Sequence, residues 1–233
     1  MKPNISKENI YQIFNQIAST YDRINKILSF GVDRFWRRSL CKQIPSDTPL
    51  NILDLATGTG DQALEILKRR PLVAITGVDK AQKMLELAQI KACNQGLANL
   101  HFVHADASKL PFENHVFDMI TLSFGIRNFS HLDLATREML RVLKPHGTLL
   151  ILEFGSPKLN WLRALYFFYL RKILPALGGY LSRHHDAYKY LNESIEEFPS
   201  GQAFCNALKS HGFTKVSYIP LSFGIVNLYI GRK

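Results

Sequence analysis

Asn51-Ile52-Leu53-Asp54-Leu55-Ala56-Thr57-Gly58-Thr59-Gly60-Asp61 is the stretch that decides the fold. An apolar run ends at Ala56, two glycines spaced one apart follow, and Ala63, Leu64, Ile66 and Leu67 then recur at helical spacing. That is a buried strand, a tight turn and a helix N-terminus, the opening of a nucleotide-binding βαβ unit. Glycine suits the turn because it adopts positive φ and lets a ligand approach bare backbone. A second apolar run, Val73 to Val78, ends in Asp79, nineteen positions after Gly60. A carboxylate there can accept from two neighbouring ribose hydroxyls, at close to the offset of the dinucleotide fingerprint.

Charge narrows the ligand. A dinucleotide rests its pyrophosphate on this turn and helix N-terminus, yet Asp54 ends the strand and Asp61 opens the helix. Two carboxylates repel a pyrophosphate but suit a ligand whose nearest group is cationic. S-adenosylmethionine (SAM) has a ribose, an adenine, a sulfonium and an ammonium, and no phosphate. The glycine loop together with Asp54, Asp61 and Asp79 therefore favours SAM over NAD. Asp61 also reads as a helix cap.

With 233 residues the chain is long enough for one large domain. Its three cysteines are scattered, without C-x-x-C spacing, and read as reduced thiols of a cytoplasmic protein. The first twenty residues hold no secretory apolar region, no run reaches membrane-spanning length, and no metal-like cluster of ligands stands out. The net charge of +10 has a definite placement. Residues 1–45 hold eight Lys/Arg against three Asp/Glu, and residues 155–185 hold five Lys/Arg and no acid. The remainder balances, so an anionic partner, nucleic acid or membrane surface, would meet these two segments unless they are ordinary surface scatter.

In chain order, Ile10, Ile13, Phe14 and Ile17 predict a helix over 7–19. Asp33 can cap a short helix over 34–40 carrying Phe35, Trp36, Arg37 and Arg38. Aromatics interleaved with cations before the first core strand read either as a lid over the site or as an anchor for residues 1–45. Further strands are expected at 100–104, 117–122 and 148–154, with helices at 81–95 and 132–143 and a turn at 144–147. Asp106 follows the third strand, where its carboxylate can accept from an adenine amine. An amphipathic helix is expected over 159–174, a largely irregular stretch over 182–199 with room for a short helix near Ala187–Leu191, a helix over 202–211 and strands at 216–221 and 225–230. The sum is an α/β protein, a doubly wound, mostly parallel seven-stranded sheet, with a helical lid at 1–45 and an inserted segment at 155–200.

These residues bring a family into view. The sequence resembles the class I SAM-dependent methyltransferases, and within them the ubiquinone/menaquinone biosynthesis C-methyltransferases. The match runs through Tyr21-Asp22 with Asn25, Leu28-Ser29-Phe30-Gly31, the 54–61 loop, and Asp106 with Leu110-Pro111-Phe112. It continues through Ser123-Phe124-Gly125-Ile126-Arg127-Asn128, Arg141 to Pro145, Leu152-Glu153-Phe154, Tyr188 to Leu191 with Glu193-Ser194-Ile195, and Phe198-Pro199. The glycine loop marks only the superfamily; the F-G-I-R-N and Y-x-Y-L-x-E-S-I segments are far more specific. The resemblance implies that SAM is held by Thr59 in the loop of Gly58 and Gly60, by Asp79 on the ribose, by Asp106 and Ala107 around the adenine, and by Ser123 near the methionine end. Asp33 stands where relatives often have His, and His146 replaces the first glycine of a K-P-G-G turn.

The activity so implied is methyl transfer from SAM to a ring carbon of a polyprenyl quinol, demethylmenaquinol first and a ubiquinone precursor second. A quinol becomes a carbon nucleophile when a hydroxyl ionises, and a nearby cation promotes that. Arg127 is the candidate cation, with Asn128 and Tyr190 orienting the ring; a structural salt bridge is the other reading of Arg127. An RNA or DNA methyltransferase is the rival that the basic charge permits, but no N-P-P-type loop follows the fourth strand. A non-catalytic SAM-fold binding protein is the third reading. A cytoplasmic location is expected, and no nucleic-acid partner. The aromatics and cations of residues 155–185 read either as a surface for peripheral docking on the inner face of the membrane or as packing on the sheet or a wall of the quinone pocket.

Overall fold

The computed structural model describes residues 7–175 and 185–233, with residues 185–189 as backbone alone. Tyr180 and Arg183 of the basic aromatic segment lie outside the described residues. In order the chain forms α1 (Ile10–Leu28), α2 (Asp33–Cys41), β1 (Asn51–Leu55), α3 (Asp61–Arg69), β2 (Ala74–Asp79) and α4 (Gln82–Asn94). Next come β3 (Leu100–His104), β4 (Phe117–Ser123), α5 (Leu132–Val142), β5 (Leu143–Phe154) and α6 (Asn160–Phe168). The last elements are α7 (His185–Glu197), α8 (Gln202–Ser210), β6 (Thr214–Leu221) and β7 (Val226–Arg232).

The seven strands make one sheet in the order β3-β2-β1-β4-β5-β7-β6. Strands β1 to β5 pair in parallel, and β7 runs antiparallel to both β5 and β6. The fold is the doubly wound one expected. The period-two geometry of the strands sends alternate residues to opposite faces. Leu53, Leu55, Ile120, Leu122, Leu149 and Ile151 pack with α5 and α8 on one face. Ile52, Ile75, Met119, Leu150 and Leu152 pack with α2, α3 and α4 on the other.

Three elements differ from expectation. Helix α1 continues past Ser19 as far as Leu28, because Ile24 and Leu28 extend the buried stripe of Ile17 and Ala18. It ends where Phe30 and Gly31 take positive φ and the Gly31 N–H returns to the Lys26 carbonyl. The stretch 182–199, expected to be irregular apart from a short helix near Ala187–Leu191, contains the longer α7. Its inward side chains mix apolar Leu191 and Ile195 with polar Ser194 and the hydroxyl of Tyr190, which blurs the apolar period in the sequence. Residues 144–147 are not a free turn: β5 passes through them with a register shift against β4, and His146 has φ +64°. That conformation explains why a glycine would be at home there.

Candidate active site

The sheet order reverses between β1 and β4, and a ligand crevice opens outside the carboxyl ends of strands at such a switch point. A cavity of about 400 Å³ lies there. Its walls come from the segments following four strands: Ala56 and Gly58, Asp79 and Lys80, Asp106 and Ala107, and Ser123 to Gly125. Tyr11, Phe14 and Tyr21 of α1 line it from the N-terminal segment. Helix α1 is seated on α4 through Ile17, Ala18, Ala81 and Met84, and Asn15 accepts from the Lys83 N–H.

Of the expected cofactor residues, Gly58, Asp79, Asp106, Ala107 and Ser123 are brought together on this cavity. Asp79 sits at the end of β2, its two oxygens accepting from the N–H groups of Gly58 and Ala81 at 2.8 Å each. Burial pushes its carboxyl up, partly offset by those hydrogen bonds. The carboxylate keeps acceptor capacity toward the cavity beyond these backbone bonds. Asp106 accepts from Ser108 and pairs with Lys80 at 2.7 Å. Burial alone would raise its carboxyl, but the bonds from Lys80 and Ser108 prevail and hold it at about 2. Ser123 donates to Gln62 of α3 at 3.0 Å.

Asp54, Thr59 and Gly60 do not line the cavity; they shape the loop. Asp54 is buried and accepts from Thr57 and Thr121 at 2.6 Å each, with burial pushing its carboxyl up to about 6 against those bonds. Thr59 turns to α1 and donates to Asp22, which pairs with Lys91; Lys91 also pairs with Asp61 at 2.7 Å. Asp54 and Asp61 thus do not present their charge to the ligand, contrary to expectation. Asp54 is enclosed by threonines and Asp61 is paired, so the acidic residues that line the cavity are Glu8, Asp79 and Asp106. Gly60 has φ +80°, and a Cβ there would meet that of Ala88 at 3.2 Å.

Arg127 is not brought to the cavity either. Its segment forms a short 3-10 turn after β4, and its guanidinium runs to Glu153 of β5 at 2.9 Å, both side chains buried. It also reaches Ser194 of α7 at 3.3 Å and the Phe124 carbonyl, and lies 5.3 Å from the Phe154 ring centroid. The structural salt bridge is the reading this geometry matches. Asn128, next in the chain, does line the cavity, and its Oδ1 accepts from Tyr190 at 3.2 Å.

The structure separates the two readings of the N-terminal aromatics. Phe35 is exposed, while Trp36 is buried against Phe124 and Phe154 and donates to Ser222 at 2.8 Å, an anchor for α2. The aromatics on the cavity are instead Tyr11, Phe14 and Tyr21, which share the helical spacing of α1. Sequence reasoning also missed Phe124, Lys80 and rim residue His131. Their neighbours in the motifs were the available signal.

The residues present fit SAM. Three acidic residues, Glu8, Asp79 and Asp106, line the cavity, and the Gly58 position, at φ +57°, leaves open space where a Cβ would stand. The α3 N-terminus carries the paired Asp61 where a pyrophosphate would need a bare helix end.

Comparison with known proteins agrees. The profile of the ubiE/COQ5 methyltransferase family matches residues 2–233. The ubiquinone/menaquinone biosynthesis C-methyltransferase UbiE of Geotalea uraniireducens is 42% identical over 228 residues, 97% of each chain. The demethylmenaquinone methyltransferase of Thermus thermophilus is 42% identical over 221 residues, 95% of this chain and 100% of that one. A SAM-dependent methyltransferase from Aquifex aeolicus superposes with a TM-score of 0.65 at 17% identity, covering 91% of this chain and 96% of that one, and so supports the fold. The chain belongs to the ubiE/COQ5 methyltransferase family and is a methyltransferase whose cofactor is S-adenosylmethionine.

Proposed function

We propose that the protein methylates a ring carbon of a polyprenyl quinol, demethylmenaquinol in the first instance. The observation that carries this reading is the whole-length match to proteins named for that chemistry. When bound, SAM supplies an electrophilic methyl group. The bond to the ring carbon would form as the sulfonium–methyl bond breaks and leaves a neutral thioether, with the quinol oxyanion providing the electrons and the ring proton passing to water. Asp79 would hold the ribose, and Asp106 with Ala107 would meet the adenine. Because the Tyr190 hydroxyl donates to the Oδ1 of Asn128, the Asn128 amide N–H groups are left to donate to the quinol oxygen, stabilising charge as it develops. Tyr190 thus acts through Asn128. Arg127 and Glu153 hold the 124–128 segment in place. Tyr11, Phe14 and Tyr21 exclude water, which strengthens each of these interactions. Incubation with methyl-labelled SAM and either a short-chain demethylmenaquinol or RNA tests the reading: label enters the quinol, and label in RNA would overturn it.

An insoluble tail requires access from a membrane, and α6 with its continuation supports one. Tyr166, Leu170 and Leu174 turn inward, while Trp161, Leu165 and Phe168 are exposed. Phe30, 81% exposed, lies against Tyr169 beside them. No helix among the described residues is long and apolar enough to cross a membrane. Apolar rings with flanking cations suit a surface helix at headgroup depth. Arg171 is engaged in a two-pronged pair with Glu196, so the acid-free stretch of sequence is partly neutralised in space. Arg163 and Lys172 carry the attraction. Co-sedimentation with anionic liposomes is expected to fall as salt shrinks the Debye length from ~10 Å at 0.1 M to ~3 Å at 1 M. It should fall likewise in Arg163→Gln/Lys172→Gln, and again in Trp161→Ala. Equal binding to neutral and anionic liposomes would contradict the docking.

A further inference from the structure

Arg37 of α2 is an under-used cation beside the cofactor cavity. Its Nε is buried and makes no hydrogen bond. Its carboxylate partner, Asp33, stands 4.0 Å away, whereas the other ion pairs among the described residues span 2.5–3.2 Å. Asp33 is drawn aside by Ser29, which donates to it at 3.0 Å. The guanidinium lies instead over the Phe124 ring, 5.5 Å from its centroid, and Phe124 lines the cavity. Only 16% of the Arg37 side chain is exposed, so water does little to satisfy it.

The surroundings say which end of the cavity this is. One helical turn after Arg37, the Cys41 sulfur accepts from Gln62, and Gln62 in turn accepts from Ser123. Arg37 therefore stands over the ends of β1 and β4, on the Ser123 side. Its field reaches the cavity residue Tyr21 and the buried Asp54. The opposite end is marked by Asp79, Lys80 and Asp106, which suit ribose and adenine, and Lys80 is already paired with Asp106. A buried guanidinium with an idle donor and a distant counter-charge matches a planar, two-oxygen anion. SAM has one such group, the α-carboxylate of its methionine part, at the end away from the adenine.

We propose that Arg37 recognises the α-carboxylate of SAM, reaching it past the Phe124 ring and giving up its long contact with Asp33. The assignment adds a binding residue that neither the glycine loop nor the family motifs supply, and it holds whatever the methyl acceptor is. It also gives α2 a function: the helix anchored by Trp36 carries the cation that closes the methionine end.

Calorimetry with three ligands tests it: SAM, decarboxylated SAM, and 5′-methylthioadenosine, which lacks the amino-acid part altogether. In Arg37→Gln, SAM affinity is expected to fall about 10- to 100-fold, as for loss of a charged hydrogen-bonding partner. Affinity for the two ligands without a carboxylate should stay within about twofold of wild type by the same reasoning. Arg37→Lys, which keeps the charge and loses the fork, should restore part of the SAM affinity and serves if the glutamine variant does not fold. An equal loss for all three ligands would make Arg37 a structural residue of α2 and overturn the proposal. Unchanged SAM affinity would overturn it as well, including the case where turnover slows, which would place the cation on the acceptor.

Discussion

Arg127→Ala is expected to lower the unfolding free energy by about 3–5 kcal/mol, because it leaves a buried carboxylate without its cation. Glu153 is wholly buried on β5, and its remaining partners are backbone N–H groups, those of Phe154 at 2.9 Å and Arg127 itself at 3.4 Å. Those dipoles do not replace a guanidinium at 2.9 Å. Replacing both members with apolar residues, as in Arg127→Met/Glu153→Leu, should recover most of the stability, since no charge is then stranded. Turnover should not recover with it. The pair ties β5 and α7 to the segment that carries Asn128, and the Ser194 contact is lost with Arg127. Urea unfolding and single-turnover kinetics on the two variants separate these effects. Stability unchanged in Arg127→Ala would contradict the pair, and full turnover in the double variant would remove this segment from the chemistry.

Asp79→Ala should weaken SAM binding by about 10- to 100-fold, the loss of a charged acceptor worth about 1.5–3 kcal/mol. The effect has two sources. The ribose hydroxyls lose their acceptor, and the N–H groups of Gly58 and Ala81 lose theirs, so the glycine turn is no longer pinned to β2. Asp79→Asn keeps one oxygen and should fall between. Burial holds the Asp79 carboxyl above the ordinary range, so on acidification it protonates before an exposed aspartate does. SAM affinity should accordingly decline as pH falls, earlier than an unshifted carboxylate would dictate. Calorimetry across pH reads both results, and unchanged affinity in Asp79→Ala would remove the residue from the site.

The sheet and the crevice were legible because they rest on local rules. Short apolar runs gave the strands, and the pair Gly58 and Gly60 gave the turn. Asp79 and Asp106 reach the crevice because they stand just at or after strand ends, a placement visible in the sequence. What was not legible depends on contacts distant in sequence. Arg127 looks like a free cation until β5 brings Glu153 beside it, and Arg171 looks unpaired until α7 brings Glu196. The full length of α7 was not legible for the same reason: Ile195 and Leu191 find their apolar wall in α1 and α6 with its continuation, and Ser194 finds Arg127, all distant in sequence. Tyr11, Phe14 and Trp36 are all aromatics among cations in residues 1–45. Only the packing of α1 on α4 and of α2 on the sheet divides them into cavity wall and anchor.

The central claim is methyl transfer to carbon, and carbon-13 NMR of the product tests it most directly. The protein is incubated with SAM labelled in its methyl group and a short-chain demethylmenaquinol. The account predicts a labelled methyl bonded to the quinone ring and the loss of one ring proton. Label on a quinol oxygen, or label in RNA with none in the quinol, would contradict it.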